Sequence, residues 1–344
     1  EVTGNVVVDA NLFKDERIHP AWGHGDLSYW YAAQVSALSF NDNCVNVYIT
    51  PNDTLGAAPH IRIEPAEQLI QFENNLVTVH EDSLTDYEYK RITGSNRIIF
   101  RGKISQSRSR ILNWVSVDNP AIFTGMNFSI VLSENGVEIP AVVGETFEIP
   151  DYDGMELLFS YESPPLTEII QVINRRSQNL YAETLFKMLG FETLANGSFA
   201  GGRAAVRSYL AGIGVDTGRM HVSDGSGLSR RNLISPYQLT AVLRHMYTGE
   251  HRDEYLESLA LAGDEGTLQN RFRGSVADGR VMAKTGYVGF VRTLSGYVET
   301  EDNQTLIFTF MVNNFITSTS VINELQDSIL SIISSKTMDE LLSN

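Results

Sequence analysis

The sequence has few cysteines, few lysines and no long apolar run. Cys44 is the only cysteine among 344 residues, so an intrachain disulfide is excluded. No Cys/His cluster has the spacing of a zinc site. No apolar stretch approaches the roughly 20 residues that a membrane-spanning helix needs. The sequence therefore predicts a folded protein with no metal, no cofactor and no transmembrane segment, in which Cys44 is a buried apolar thiol.

Positive charge is also scarce, because the chain has a net charge of −16 and a pI near 4.8. Nucleic-acid binding requires a basic face that neutralises phosphates, and no basic stretch of the sequence provides one. Nucleic acid is therefore not an expected partner. The acidity is explained by solubility.

The first half of the chain is rich in strand patterns. Short β-branched or alternating segments such as "CVNVYITP" and "NRIIFRGKI" are bounded by Asn, Asp, Gly and Pro. One helix is predicted after Asn119-Pro120, with Gly136 as its stop. We expect residues 1–160 to form β-rich units, two of them nested, in a protein of the α+β class.

The pattern changes after Pro164-Pro165. Helical spacing of apolar residues follows in "LTEIIQVINRRSQNLYAETLFKMLG". A further helix is predicted after Ser235-Pro236, with Ser235 as N-cap. Three antiparallel strands are predicted from "GRVMAKTG", "VRTLSGYVE" and "TLIFTFMVNN", and a helix closes the chain. Residues 161–344 therefore form a second part, with helices beside an antiparallel sheet.

Three short motifs could carry chemistry. The tripeptide Lys284-Thr285-Gly286 offers a charge, a hydroxyl donor and a close backbone approach, which together suit a carboxylate. Ser177 and Asn179, two residues apart at a helix break, can share one cleft, although on their own ordinary capping is the better explanation. The loop Asp224–Pro236 is best explained as a turn that fixes the following helix.

Other catalytic patterns are absent from the sequence. Ala283 stands where a phosphate-binding loop needs glycine, and no strand-GxGxxG-helix unit occurs. The seven histidines form no HExxH pattern, and no GxSxG elbow is present. A Ser-His-Asp triad requires one positioned histidine, which the sequence leaves open.

Taken together, the ordered blocks resemble a known family. "SPPLTEIIQVINRRSQNLYAETLFKMLG", "HVSDGSGLSRRNLISPYQL" and "GRVMAKTGYVGFVRTLSGYV" follow the order found in class C low-molecular-mass penicillin-binding proteins. The N-terminal "GNVVVDANLFKDERIHPAWGHGDLSYWYAAQVSALSFNDN" resembles the region where the inserted domains of that family begin. The resemblance covers nearly the whole chain.

The resemblance implies a fold and a reaction. Residues 1–160 would be inserted domains, and residues 161–344 the C-terminal part of a β-lactamase/transpeptidase-like domain. The family consists of D-alanyl-D-alanine carboxypeptidases and endopeptidases of the bacterial periplasm or cell surface. These enzymes act on peptidoglycan stem peptides through a serine acyl-enzyme and bind β-lactam antibiotics covalently.

The resemblance also implies roles for individual residues. Ser177 would relay a proton to the leaving D-alanine, and Asn179 would hold the substrate amide. Lys284 and Thr285 would bind the terminal carboxylate, with Gly286 allowing close approach. The backbone N–H of Tyr287 would form half of an oxyanion hole.

The family's first motif, Ser-x-x-Lys, is missing from the sequence. The residues three positions before the six lysines are Asn11, Tyr87, Phe100, Thr184, Val281 and Ile333. The nearest mimic, Thr184 to Lys187, is interpreted as structural. The family places this motif before the inserted domains, and this chain opens inside them at Glu1, so we expect the nucleophile upstream of Glu1 and no hydrolysis by this chain alone.

Two alternatives remain. A non-catalytic peptidoglycan-binding protein would keep the carboxylate site and use the β-rich units to hold the wall. The retained Ser177 argues mildly against this, because a binder has no need of a proton relay. A β-lactamase would share the motifs, but the large inserts disfavour it.

Overall fold

The structure, a computed structural model, describes residues 1–14, 16–139 and 142–343. The chain divides into two compact units: Glu1–Glu156 with Gly190–Gly201, and Leu157–Leu189 with Gly202–Asn344. The expected α+β class is confirmed. The expected division near residue 160, with inserted domains before it and a catalytic part after it, stays a prediction.

The first unit contains eight strands and one helix of its own in its described residues. Their bounds are β1 Val6–Asp9, β2 Cys44–Thr50, β3 His60–Glu64, β4 Gln71–Val79, β5 Asp86–Arg91, β6 Arg97–Ser105, β7 Ile111–Ser116, α1 Pro120–Glu134 and β8 Val143–Thr146. Short 3₁₀ turns lie at Trp30–Ala32, Asn41–Asn43 and Glu67–Leu69.

Two three-stranded sheets of the first unit form a sandwich. Their strand orders are β3-β2-β7 and β4-β6-β5. Alternate residues of β2, namely Val45, Val47 and Ile49, are fully buried and pack in one cluster with Ile98 and Phe100 of β6. The period of two in the sequence therefore places one face of each sheet in the core. Cys44, also buried, has its thiol pKa raised by that burial.

Helix α1 begins where the sequence predicts. The Asn119 side chain accepts a hydrogen bond from the backbone N–H of Ile122 at 3.1 Å, and Pro120 occupies the first turn. The Asn119 oxygen satisfies one orphan donor of the helix start, and Pro120 has no N–H that would be left unpaired. Gly136 follows the helix end with a φ of 82°. In the same unit, β1 pairs with β8 in parallel.

Arg91, at the end of β5, binds segments of the chain that lie between the strands of the sandwich. Its side chain is buried and donates to the carbonyls of Leu27 and Ser95 at 3.0 and 3.1 Å. It also forms an ion pair with Asp118 at 3.4 Å. Burial lowers the pKa of Arg91, and the carboxylate of Asp118 acts against that shift. The guanidinium fork satisfies several acceptors at once, which a smaller cation could not do.

We expect Arg91→Met to destabilise the chain by about 3 kcal/mol, because two buried carbonyls and Asp118 lose their donor. Urea denaturation followed by circular dichroism measures the effect. Arg101→Met, at an exposed position of β6, serves as the control. Equal loss of stability in both variants would contradict the role assigned to Arg91.

The second unit holds the remaining elements. They are α2 Leu166–Arg176, α3 Asn179–Leu194, α4 Phe199–Gly212, α5 Pro236–Thr248, α6 Arg252–Ser258, β9 Ala260–Leu261, β10 Val281–Val288, β11 Val291–Glu299, β12 Thr305–Asn313, α7 Thr319–Ser334 and α8 Met338–Leu342. The end of α3 and the start of α4 group with the first unit. Short 3₁₀ turns lie at Thr217–Arg219 and Gly266–Leu268.

The sheet of the second unit has the order β12-β11-β10-β9, and its strand pairs are antiparallel. The three predicted strands are confirmed, and β9 adds a two-residue fourth strand. Ser235 caps α5 as predicted, with a reciprocal contact from Gln238. In the parts of the chain that the structure describes, no helix has both the length and the apolarity to cross a bilayer.

The two faces of this sheet pack against different helices. Met282 of β10 and Tyr297 of β11 lie opposite each other and pack with Leu243 of α5. Their neighbours Ala283 and Val298 pack instead in the cluster that contains Leu330 of α7. Because side chains alternate along a strand, Lys284 lies on the same face as Met282.

Candidate active site

A break between two helices positions Ser177. Helix α2 ends at Arg176, and Ser177 follows with φ 59° and ψ 44°, in the left-handed region. A side chain larger than glycine pays roughly 1–3 kcal/mol for that conformation, so the surroundings must hold it. Asn179 is the first residue of α3. The break therefore places Ser177 and Asn179 between two helix ends.

The end of α2 is anchored on its far side. Asn174 donates to the hydroxyl of Ser258 at 2.8 Å, and Arg175 donates to the carbonyl of Glu257 at 3.1 Å. Arg175 also forms an ion pair with Glu265. These contacts fix the direction in which the chain leaves α2, and hence the position of Ser177.

Strand β10 supplies the lysine. Residue Lys284 lies opposite Ser295 in the ladder with β11. On the other side, β9 pairs only with Met282 and Ala283. Among the described residues, that edge of β10 has no ladder partner from Lys284 onward. An extended peptide could therefore align along this edge by strand addition.

The central contact joins Lys284 to Ser177. The Lys284 ammonium donates a hydrogen bond to the Ser177 hydroxyl, and another to the carbonyl of Thr285 at 2.7 Å. The structure thus brings together two predicted site residues that lie 107 positions apart in sequence. A lysine that hydrogen-bonds a hydroxyl can exchange a proton with it.

The surroundings of Lys284 change its pKa. Desolvation, helped by the positive charge of Arg292, lowers the pKa of Lys284 to about 8. The ammonium is therefore mostly charged at neutral pH, yet it loses its proton far more readily than a lysine in water. Arg292 lies on the adjacent strand and donates to the side-chain oxygen of Asn323 at 2.8 Å. The sequence analysis missed Arg292, because its neighbourhood depends on strand register.

The other residues of the tripeptide differ in exposure. Thr285 is only 6% exposed, whereas Tyr287 is 62% exposed. Gly286 lies opposite Thr293, and a Cβ at Gly286 would come within 2.3 Å of the Thr293 hydroxyl. A larger residue at this position would therefore push the Thr293 side chain aside, whereas glycine leaves both strands undisturbed.

The loop from Asp224 to Asn232 lies against α3. Glu183, one turn after Asn179, accepts hydrogen bonds from the backbone N–H groups of Gly225 and Ser226, both at 2.9 Å. A Cβ at Gly225 would lie 2.6 Å from the carbonyl oxygen of Ala182 on that helix. The loop therefore approaches α3 as closely as only glycine allows.

Asp224 organises the same loop from within. Its carboxylate accepts from the backbone N–H groups of Gly227 and Ser229 at 3.0 and 2.6 Å, and from the Asn232 amide at 2.6 Å. Arg230, further along, donates to the carbonyl of Gly289 at 2.9 Å in the turn that follows β10. The loop thus connects α3 with the end of the strand that carries Lys284.

Two carboxylates are therefore buried beside the candidate site. Glu183 is fully buried and Asp224 is 4% exposed. Burial and the neighbouring charge of Asp224 raise the pKa of Glu183 to about 7. Lys187, one further turn along α3, is also fully buried. The sequence analysis missed this cluster, although a Glu and a Lys four residues apart in an otherwise apolar helix are a usable signal.

The chain matches the D-Ala-D-Ala carboxypeptidase 3 (S13) family over residues 1–336. It belongs to that family, as the sequence blocks predicted. It is 33% identical over 324 residues to a D-alanyl-D-alanine carboxypeptidase of an Actinomadura species, covering 91% of this chain and 60% of that protein. It is 29% identical to the penicillin-sensitive carboxypeptidase A of Dictyostelium discoideum, covering 87% and 59%.

A solved structure supports the fold. Penicillin-binding protein 4 (dacB) of Haemophilus influenzae aligns with a TM-score of 0.84 at 22% identity, over 97% of this chain and 75% of that one. The α+β fold expected from the sequence is confirmed by this likeness. The chain spans about 60% of the length of the first two curated relatives.

We expect the Lys284 amine to titrate near pH 8, and Arg292→Gln to raise that midpoint, because one neighbouring positive charge is removed. A ¹⁵N NMR titration of the lysine side chains measures it, with Lys284→Arg assigning the signal. Since the native pKa lies below the 10.5 of an unperturbed lysine, this group adds stability as pH rises from about 8 to 10.5.

The control for the titration is Arg244→Gln, which removes the same charge from an exposed position of α5. It should leave the Lys284 midpoint unchanged. A Lys284 midpoint near 10.5 in the wild type, or equal midpoints in all variants, would contradict the electrostatic account.

We expect Glu183→Gln to destabilise the chain by about 1–3 kcal/mol, because the amide NH₂ would face a backbone N–H that has lost its acceptor. The midpoint of urea unfolding measures the change. Glu192→Gln, on the exposed side of the same helix, is the matched control. A Glu183→Gln variant as stable as this control would show that the loop needs no carboxylate.

Proposed function

We propose that this chain supplies the proton-relay and carboxylate-binding part of a serine D-Ala-D-Ala carboxypeptidase site. The observation that carries the proposal is the hydrogen bond from Lys284 to Ser177. It combines a cation suited to a carboxylate with a hydroxyl suited to proton transfer. Membership of the S13 family supports the same reaction class.

The substrate would be a peptidoglycan stem peptide that ends in D-Ala-D-Ala. Its terminal carboxylate would meet Lys284, with the Thr285 hydroxyl as a second donor. Its backbone would lie along the open edge of β10, where Gly286 presents no side chain. Asn179, at the start of α3, would hold the amide of the scissile region.

The reaction needs a nucleophile, and the printed sequence contains no Ser-x-x-Lys. A serine carboxypeptidase reaction at this site would therefore take its nucleophilic serine from outside these 344 residues. Its Oγ would attack the carbonyl carbon of the penultimate D-alanine, and the C–N bond to the last D-alanine would break. The proton of the attacking serine would pass to a base beside it and be relayed through Ser177 and Lys284 to the leaving amine, and water would then hydrolyse the ester.

The oxyanion of the tetrahedral intermediate would be stabilised by the backbone N–H of Tyr287 together with that of the nucleophile. A β-lactam would enter the same reaction, because it offers a carbonyl and a carboxylate at similar positions, and would leave a covalent adduct. The name of the Dictyostelium relative, a penicillin-sensitive carboxypeptidase, supports this. Endopeptidase action on cross-linked peptides uses the same chemistry, and a periplasmic or other extracytoplasmic location follows from the substrate.

We expect a fluorescent penicillin to label the full-length gene product and not the 344-residue chain, as read by intact mass. Lys284→Ala should slow labelling of the full-length protein by 10²-fold or more, because the carboxylate and the relay lose the lysine. Arg244→Gln is the control and should label at the wild-type rate.

The other outcomes decide between the alternatives. Failure of both proteins to react would favour a non-catalytic peptidoglycan-binding protein. Reaction of the 344-residue chain alone would mean that one of its own serines attacks. Hydrolysis of a D-Ala-D-Ala peptide by the full-length protein separates a carboxypeptidase from a β-lactamase, which would instead turn over the penicillin rapidly.

A further inference from the structure

The outer face of the β3-β2-β7 sheet carries aromatic and basic side chains. Strand register places Arg62, Tyr48 and Leu112 in one row across the three strands, and Glu64, Asn46 and Trp114 in the next. The opposite face of β2 is fully buried in the sandwich core. Trp114 is 49% exposed and Leu112 is 41% exposed. This set, which we name the Tyr48 face, is therefore the outward face of the sheet and is partly open to solvent.

Two arginines share one ring on this face. The guanidinium carbon of Arg62 lies 4.8 Å from the Tyr48 ring centroid, and that of Arg110 lies 4.9 Å from it. Both cations are thus held within about 10 Å of each other by cation–π contacts, which orient them at little cost in side-chain freedom. Glu64 contacts Arg62 at 3.1 Å and balances one of the two charges.

In the other sheet of the same sandwich, basic residues lie opposite acidic residues. Lys103 lies opposite Asp86, and Arg101 lies opposite Glu88 in the ladder of β5 with β6. Arg97 forms an ion pair with Glu73. Acidic side chains on neighbouring strands therefore balance the positive charges of that sheet, as expected for an ordinary solvated face. The Tyr48 face, in contrast, gathers two arginines in a chain whose net charge is −16.

We propose that the Tyr48 face binds the peptidoglycan strand itself, as a holding surface separate from the chemistry of Lys284. A sugar ring presents a face of C–H bonds, which packs on the negative face of an aromatic ring such as that of Trp114, whereas the Tyr48 ring is already covered by the two guanidinium groups. The carboxylates of the attached stem peptides suit the guanidinium groups of Arg62 and Arg110. A face that spans three strands suits an extended polymer better than a small ligand, which needs a concave site.

This inference rests on the proposed function, because it takes as its ligand the polymer on which the site would act. The test is cosedimentation of the 344-residue chain with insoluble, lipid-free peptidoglycan. The wild type should sediment with the wall. Arg62→Ala with Arg110→Ala should weaken the apparent affinity at least tenfold, and Trp114→Ala several-fold. Raising the salt concentration should weaken wild-type binding and have less effect on the double arginine variant.

The matched control is Arg101→Ala with Lys103→Ala, which removes two positive charges from the other sheet of the sandwich. It should bind within twofold of the wild type. Thermal melting of each variant confirms that it is folded. Binding by the double arginine variant that equals the control, or a wild type that stays in solution, overturns the inference. Retention on vesicles of anionic phospholipid in place of peptidoglycan also overturns it and indicates a membrane surface.

Penicillin labelling of the full-length protein separates this inference from the proposed function. Arg62→Ala with Arg110→Ala should leave the rate of labelling unchanged. A wild type that sediments with peptidoglycan through Arg62 and Arg110, but never reacts with penicillin, would refute the catalytic proposal and support the holding surface. A wild type that reacts with penicillin but does not sediment with peptidoglycan would refute the holding surface and support the catalytic proposal.

Discussion

The hydrogen bond between Lys284 and Ser177 is the constraint on which the second unit depends. A half-buried ammonium is costly, and its pKa of about 8 reflects that cost. Ser177 adds strain of its own, because its backbone is left-handed. Both costs persist because other contacts fix the partners: the β10–β11 ladder holds the lysine, and Asn174 and Arg175 anchor the end of α2. Strain and burial concentrated at one contact are typical of a functional site rather than of a packing site.

The loop from Asp224 to Asn232 is held in place by two further buried carboxylates, those of Glu183 and Asp224. Glu183 binds two backbone N–H groups of the loop, and Asp224 binds two more. Each acceptor offsets part of the cost of burying a carboxylate, since a charge-assisted hydrogen bond is stronger than a neutral one. Because Glu183 lies on the helix that begins with Asn179, the loop and that residue share one rigid support.

Local rules predicted much of this fold. The Ser235-Pro236 start of α5, the Asn119 cap of α1 and the three strands after residue 280 follow from capping and alternation, which act over a few residues. Strands β3 and β5, "HIRIE" and "DYEYKR", were missed, because their outward charged residues mask a short apolar pattern. The motif residues Ser177, Asn179 and Lys284 were identified from the family blocks. Arg292, Glu183 and Asp224 were not identified. The position of Arg292 depends on strand register, and the two carboxylates meet through a loop contact between residues about 40 positions apart.

The lowered pKa of Lys284 bears on whether this site only binds or also reacts. A protein that merely held a carboxylate would be best served by a lysine that stays fully charged, and a hydroxyl placed on that lysine would add little. Here the lysine is charged at neutral pH and so can receive a carboxylate, yet its proton is held weakly and a serine hydroxyl lies within hydrogen-bonding contact. An arriving carboxylate raises the pKa of the lysine again, so a bound substrate would keep Lys284 charged and in hydrogen-bonding contact with the Ser177 hydroxyl. In the proposed reaction the same residue would serve both recognition of the peptide end and proton transfer, two roles that a purely binding site has no reason to combine.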